Sequence, residues 1–281
     1  KLSVALDLLD ESDRTLAQEL ARRADVLVEN FRPGTLAKYG LGDEQVRSAN
    51  PRSIYCSITG FGAGAGAHLP GYDFVVQAIG GLMSITGAPD ADPTKVGVAL
   101  VDVLTGKDAV IGILAALRER ERTGKGQHIE VNLLSSLLGS LANQASAYLT
   151  TGVSPTRMGN QHPSIAPYET LHCKDELLAI ACGNDRQFQR LMRVLGASEE
   201  LANDERFVTN TARVHNRGAL VAALENLLTT DTAENWEQRI SATGIPVGRV
   251  GLYVPGGLAP LASSVIMNVV PSSGFMPLIN I

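Results

Sequence analysis

Few side chains in this 281-residue chain combine a reactive type with a setting that does chemistry. Asp102 is the clearest. It is a lone acid in the otherwise uncharged run VGVALVDVLTG, directly before a helix expected from Gly106 to Arg122. A carboxylate at a helix N-terminus is held ionised by orphan amides and by the helix dipole. Such a group serves either as an N-cap or as a nucleophile, and spacing alone leaves both readings open. Tyr72 and Asp73 close the loop FGAGAGAHLPGYD, residues 61–73, where Asp73 is placed to cap a helix beginning at Phe74. His162 lies in the loop segment GNQHPS, and functional groups concentrate on loops, although most loop histidines are merely solvated. Arg32 and Lys38 follow the end of an expected strand and carry the right charge for an anionic ligand.

Other chemistries lack their residues. No Ser sits in G-x-S-x-G, and Cys56 and Cys182 have no nearby His partner in sequence. No His/Asp/Glu cluster has metal-ligand spacing, so no metal site is expected. The glycines of residues 61–73 match neither G-x-x-x-x-G-K-[ST] nor a G-x-G-x-x-G that opens a helix at the first βα turn. That segment therefore reads as a surface loop, and a dinucleotide-dependent oxidoreductase is disfavoured.

The elements that must position these residues alternate. A strand at Ser3–Leu6, a helix at Asp10–Arg23 and strands at Asp25–Glu29 and Ser53–Thr59 enclose short helices at Thr35–Tyr39 and Glu44–Ala49. Helical spacing continues through Tyr72–Thr86, weakened by Gly80–Gly81. After the Gly106 helix come a strand, His128–Leu134, and a buried helix, Leu133–Thr150. Alternation of this kind implies a parallel sheet with ligands at the carboxyl ends of its strands. Residues 1–150 are expected to form a large α/β domain, 151–169 a linker rich in Gly, Pro, Ser and Asn, and 170–248 a smaller α+β domain. The smaller domain has a strand at Leu177–Cys182 and helices at Asp185–Leu195, Asn216–Leu228 and Thr232–Thr243.

A content of 44% hydrophobic and 19% charged residues belongs to a globular protein with a buried core and excludes wholesale disorder. The net charge of -5, without a basic stripe, argues against nucleic acid as a partner. Three scattered cysteines fit a reducing compartment. Residues 249–281 form an atypical tail with no charge after Arg249; Pro255, Gly256, Gly257 and Pro260 interrupt it, so no membrane span is expected.

The ordered segments ADVLVENFRPGTLAKYGLG, NPRSIYCSITGFG, PGYDFVVQAIGGLMSITG, VGVALVDVLTG and LRERERTGKGQHIEV resemble the family III CoA-transferases, and the match covers about residues 1 to 250. GNQHPSIAPYETLHCKD through TARVHNR is most similar to the dicarboxylate branch, which includes succinyl-CoA:glutarate CoA-transferases. The resemblance implies a Rossmann-like parallel-sheet domain with a smaller α+β domain, in an interlocked homodimer. It implies that Asp102 is the nucleophile, passing through a mixed anhydride and an aspartyl-CoA thioester. Asn30, Phe31, Arg32 and Pro33 match the loop lining the nucleotide site, Lys38 a basic position near the CoA phosphates, and Tyr72 and Asp73 a pair flanking pantetheine and thioester. His162 matches a loop facing the acyl groups. Coenzyme A enters as a substrate, with carboxylic acids as partners and no tightly bound cofactor. A bacterial protein of this kind is cytoplasmic and a eukaryotic one mitochondrial.

Against the family pattern, a first strand and helix are expected before residue 1, and the tail does not match the returning C-terminal segment. Two alternatives follow: an acyl-CoA racemase of the same superfamily, disfavoured because Tyr72 stands where racemases carry His, or a truncated non-catalytic homologue.

Overall fold

The computed structural model describes residues 2–250. They fall into two compact units, residues 2–85 with 93–155 and residues 86–92 with 156–250. The first unit begins with α1 (Glu11–Arg23), whose N-cap Asp10 accepts from the amides of Ser12 and Asp13. There follow β1 (Val26–Glu29), a 3-10 turn (Leu36–Tyr39), α2 (Asp43–Ala49), β2 (Ile54–Thr59), α3 (Asp73–Ile79) and α4 (Leu82–Ile85). The unit continues with α5 (Leu100–Thr123), β3 (His128–Asn132), α6 (Leu133–Ser140) and α7 (Ala142–Thr151).

The strands are ordered β1-β2-β3 and all parallel, with Val26 opposite Ile54, Tyr55 opposite His128 and Thr59 opposite Asn132. Strand side chains alternate between faces. Tyr55 packs among Leu8, Ala17, Leu41 and Val46 on the side of α1 and α2. Ile58, of opposite parity, packs with Val76, Val101, Leu133 and Leu137 from α3, α5 and α6. Both faces are covered, as a parallel sheet requires.

Helix α5 sets the geometry of the site. Near its end the Arg120 guanidinium donates to the carbonyls of Asp25 (3.3 Å) and Arg52 (3.2 Å), which precede β1 and β2. Gly124 closes the helix in the left-handed region at φ 74°. Its 24 residues span about 36 Å, against about 17 Å for the five residues of β3. Anchored at the amino edge of the sheet, α5 therefore begins at the carboxyl edge.

The second unit pairs β4 (Tyr168–His172), β5 (Leu177–Ala181) and β6 (Val247–Arg249) antiparallel in that order. Around them lie α8 (Asp185–Val194), α9 (Glu199–Ala202), α10 (Asn210–His215), α11 (Arg217–Leu228) and α12 (Ala233–Ser241). Phe188, Leu191, Leu220, Leu224, Trp236 and Ile240 belong to its core. The Arg213 guanidinium is buried over the Phe188 ring and bonded to the carbonyls of Ala166 (2.6 Å) and Phe207 (2.9 Å) and to Asp185 (2.6 Å).

The expected α/β class holds, with the parallel and antiparallel sheets segregated between the units. Several local expectations do not. Ser3–Leu6 is not a strand: no ladder pairs it among the described residues, and alternation without a partner makes no sheet. The helix expected from Gly106 starts six residues earlier, at Leu100, because its cap comes from a distant residue. The helix expected over Leu133–Thr150 breaks at Ala142 (φ 44°), and α7 contributes no buried residue. Most of the charge-free tail lies outside the described residues.

Candidate active site at the start of α5

Asp102 is the third residue of α5, not its cap. The cap position, Ala99, makes no side-chain hydrogen bond. The helix is capped by Asp73, whose Oδ1 accepts from the amides of Val101 (2.7 Å) and Asp102 (3.3 Å). Asp73 is itself the first residue of α3, so the local cap expected of it is not made; Tyr72 holds that position without a side-chain bond. The other Asp73 oxygen accepts from Gln77 Nε2 at 2.6 Å. Gln77 is wholly buried, and its Oε1 accepts from the Val96 amide at 2.9 Å.

The partly buried Asp102 carboxylate accepts no side-chain or backbone hydrogen bond among the described residues. Its pKa is raised, first by burial and then by the neighbouring Asp73 charge. A carboxylate stripped of donors and pressed by a like charge keeps its lone pairs uncommitted, which is what a nucleophile needs. The amides at the start of α5 are taken: Leu100 N donates to Val98 O, Val101 and Asp102 to Asp73, and Val103 to Ala99 O. No orphan amide is therefore left at the helix start to hold the Asp102 carboxylate ionised, as its place before a helix suggested, and a transition-state oxyanion needs donors from elsewhere.

On the other face of the sheet, at the end of β1, Glu29 accepts from the Phe31 amide at 2.8 Å and Phe31 packs beside the α1–α2 core. Asn30, Arg32, Pro33 and Lys38 are exposed there, with Gly34 at φ 78° turning the loop into the 3-10 turn. Arg32 and Lys38 make no ion pair among the described residues. At the end of β2, Gly60 and Gly71 touch backbone to backbone: a Cβ on Gly60 would stand 2.5 Å from Gly71 Cα. The segment between them therefore closes into a loop over the carboxyl edge. Tyr72, beyond it, is 65% exposed. The structure brings Asp73 and Asp102 together, and places the basic loop on the opposite face of the same edge.

His162 belongs to the second unit. Its ring lies 5.1 Å from that of Tyr168, and its Nδ1 accepts from the Ser164 amide. Its carbonyl is held by Arg217, a buried guanidinium paired with Glu169 at 2.7 Å. Desolvation pushes the Glu169 carboxyl up, opposed by Arg217.

Sequence reasoning misses two sets of groups. The Asp73–Gln77 bracket is one, although its i, i+4 spacing and a glutamine inside an apolar pattern were signals. The other is Ser57, His128 and Asp43. His128 Nε2 lies 3.0 Å from Ser57 Oγ, and its Nδ1 lies 3.3 Å from Asp43, which Arg47 also holds. The order is that of a charge relay. Ser57, however, sits within the central strand and is 8% exposed, without the exposed turn that presents a nucleophilic serine. The trio docks α2 on the sheet. The three thiols are buried and free, and burial pushes Cys56 and Cys173 up to about 11 and Cys182 up to about 12, which leaves no thiolate at neutral pH. No group of three or more His, Cys, Asp or Glu capable of holding a metal occurs among the described residues.

The profile of CoA-transferase family III matches residues 1–254. The chain is 46% identical over 250 residues to an acetyl-CoA:oxalate CoA-transferase of Acetobacter aceti, covering 88% of this chain and 64% of that protein. It is also 46% identical over 240 residues to a succinate–glutarate CoA-transferase of Agrobacterium fabrum, covering 85% and 58%. The crystal structure of a CAIB/BAIF family protein from Brucella suis superposes with a TM-score of 0.77 at 50% identity, covering 88% of this chain and 65% of that one. The chain thus spans about 60% of the length of these curated relatives. With the family profile matched almost end to end over the described residues, and with relatives of this identity, the chain belongs to CoA-transferase family III.

Proposed function

We propose that this chain carries the nucleophile and part of the CoA site of a transferase that moves CoA between carboxylic acids, with Asp102 as the covalent catalyst. The observation that carries the reading is the Asp102 carboxylate itself: partly buried, without a hydrogen-bond donor among the described residues, raised in pKa and standing at the carboxyl edge of a parallel sheet. The relatives named for oxalate and for succinate and glutarate support short dicarboxylates as the acids.

In the proposed reaction an Asp102 oxygen attacks the thioester carbonyl of the acyl-CoA. The C–S bond breaks, CoA leaves as thiolate, and Asp102 holds a mixed anhydride. The thiolate then attacks the Asp102 carbonyl carbon, releasing the donor acid and leaving an aspartyl-CoA thioester. The acceptor carboxylate attacks that thioester, re-forming an anhydride and thiolate. Attack of the thiolate on the acceptor's acyl carbon yields the new acyl-CoA and frees Asp102. No proton moves and no electron is gained or lost. The protein's part is proximity and the desolvation of its carboxylate. Arg32 and Lys38 supply the positive charge for the CoA phosphates, Asn30, Phe31 and Pro33 line the nucleotide, and Tyr72 flanks the thioester. A homodimer is part of the proposal, supported by exposed Val110, Ile111, Leu114, Leu138 and Leu149 on α5, α6 and α7.

The test is a donor–acceptor screen by mass spectrometry, with succinyl-CoA against glutarate, oxalate, malate, citramalate and carnitine, on the wild type and on Asp102→Ala. Transfer to dicarboxylates that vanishes in Asp102→Ala is the expected result. Wild-type rates in the variant remove Asp102 from the mechanism.

A further inference from the structure

Between α3 and the start of α5 runs a continuous polar bracket in an otherwise apolar setting. The Val96 amide donates to Gln77 Oε1, Gln77 Nε2 donates to Asp73, and Asp73 accepts from the amides of Val101 and Asp102. Around it Val76, Val101 and Leu137 are wholly buried. The bracket ties the α5 segment at two places, before the helix and in its first turn, to one helix that is packed against it. Every member has a partner, and a satisfied network in a dry setting specifies one geometry.

We propose that Asp73 and Gln77 are positioning residues for Asp102, holding the nucleophile's backbone in place while keeping a fixed negative charge beside its carboxylate. This inference rests on the nucleophile reading of Asp102. Two consequences follow from the geometry. Asp102 lies in the last peptide the bracket grips, so slack in Asp73 or Gln77 is passed directly to the attacking oxygen. And because acylation removes the Asp102 charge, the repulsion from Asp73 is present before attack and gone after it. The arrangement thus favours the acylated enzyme over the free carboxylate.

Few other charges compete. Of the elements packed against α5, α3 brings Asp73, β3 brings His128 and Glu130, β2 brings only Tyr55 and Cys56, and α6 has no ionisable side chain. On α5 itself Lys107 and Asp108 follow, and Asp108 accepts from Ser136. Among the described residues, Asp73 is the neighbouring charge that raises the Asp102 pKa, after burial.

Asp73→Asn and the double variant Asp73→Asn/Gln77→Glu test the proposal. In the single variant the new side-chain amide keeps an acceptor for the two backbone amides, but it loses the charge and turns an amino group on that of Gln77. In the double variant the new carboxylate accepts both from Val96 N and from that amide, which restores the bracket with its charge moved from the first residue of α3 to the fifth. Expected for Asp73→Asn is a fall in kcat of about 10–100-fold, with little change in KM for the acyl donor. The acidic limb of kcat/KM should also shift to lower pH, since the Asp102 pKa drops when its negative neighbour is gone. The double variant should recover most of kcat. Hydroxylamine trapping should still label Asp102 in Asp73→Asn, more slowly, whereas Asp102→Ala takes no label. Wild-type kcat and an unmoved acidic limb in Asp73→Asn, with Asp102→Ala inactive, overturn the bracket and leave the nucleophile standing. Activity in Asp102→Ala overturns the nucleophile instead. If Asp73→Asn fails to fold, a double variant that is no better folded overturns the proposal, and one that folds and turns over with its limb shifted supports it.

Discussion

At the scale of the residue, Asp102 is costly to keep. Its pKa is raised in the fold, by burial and then by Asp73, so the folded state binds its proton more tightly than the unfolded chain does. Stability contributed at this site is therefore largest at low pH and falls as pH rises from the ordinary carboxylate range through the raised value. Above that window Asp102→Asn should be more stable than the wild type, and below it the two should converge. Melting curves from pH 3 to pH 8 read this directly; a variant less stable at neutral pH would show that the carboxylate is held by partners. In the proposed mechanism the same group sets the acidic limb of activity, which is expected at higher pH than an ordinary aspartate would give. The candidate itself was legible in the sequence as a lone acid in an uncharged run. Its standing as the third helical residue was not, because the cap that starts the helix comes from Asp73, 29 positions earlier. No local signal reports a bond of that span.

Several longer helices begin at the local caps that the sequence offers. Asp10 begins α1, Asn184 begins α8 and Thr232 begins α12, each with a side chain bonded to an amide of the first turn. Missed elements are short: β6 has three residues and exists through its pairing with β5, and α9 and α10 have four and six residues despite their local caps Ser198 and Thr209; the Ser3–Leu6 alternation finds no strand partner. Asn132 joins β3 to α6 by accepting from the Ser135 amide at 2.8 Å. Asn132→Ala should cost about 1 kcal/mol, measurable by urea denaturation; no change would mean the helix start is held by packing alone. Between α5 and β3, Gly126 lies against the Ser53 carbonyl, with no room for a Cβ. Gly126→Ala must push backbone against backbone, and a loss of about 1–3 kcal/mol is expected. A neutral result would mean the 124–127 turn moves freely.

Over the whole molecule, each unit keeps its own core: aliphatic and aromatic around the antiparallel sheet, and split by the parallel sheet in the other. Among the described residues no helix is long and apolar enough to cross a membrane. On the first unit Ile111 is 66% and Leu149 82% exposed, and Val110 and Leu114 are exposed beside Ile111 on α5. Exposed apolar side chains clustered within five residues of one helix, as Val110, Ile111 and Leu114 are, favour association. Light scattering should find the wild-type chain larger than a monomer and Ile111→Glu/Leu114→Glu smaller, with catalysis per chain reporting what association contributes. A monodisperse monomeric wild type would remove the homodimer from the reading.

The contact of Gly60 with Gly71 has an evolutionary consequence. Because the two ends of that segment touch through main chain alone, the distance between them does not depend on what lies between. Within the segment, Ala67 N bonds to Gly64 O and Leu69 N to Gly66 O, so the tip folds largely on itself. Such a segment is an exchangeable cassette. Residues 63–69 can lengthen, shorten or change character while β2 and α3 stay in register, since added loop length costs little once the ends are fixed. A lineage could thus alter what rests over the carboxyl edge of the sheet by small insertions at Ala65, leaving the aspartate and its supporting bracket untouched.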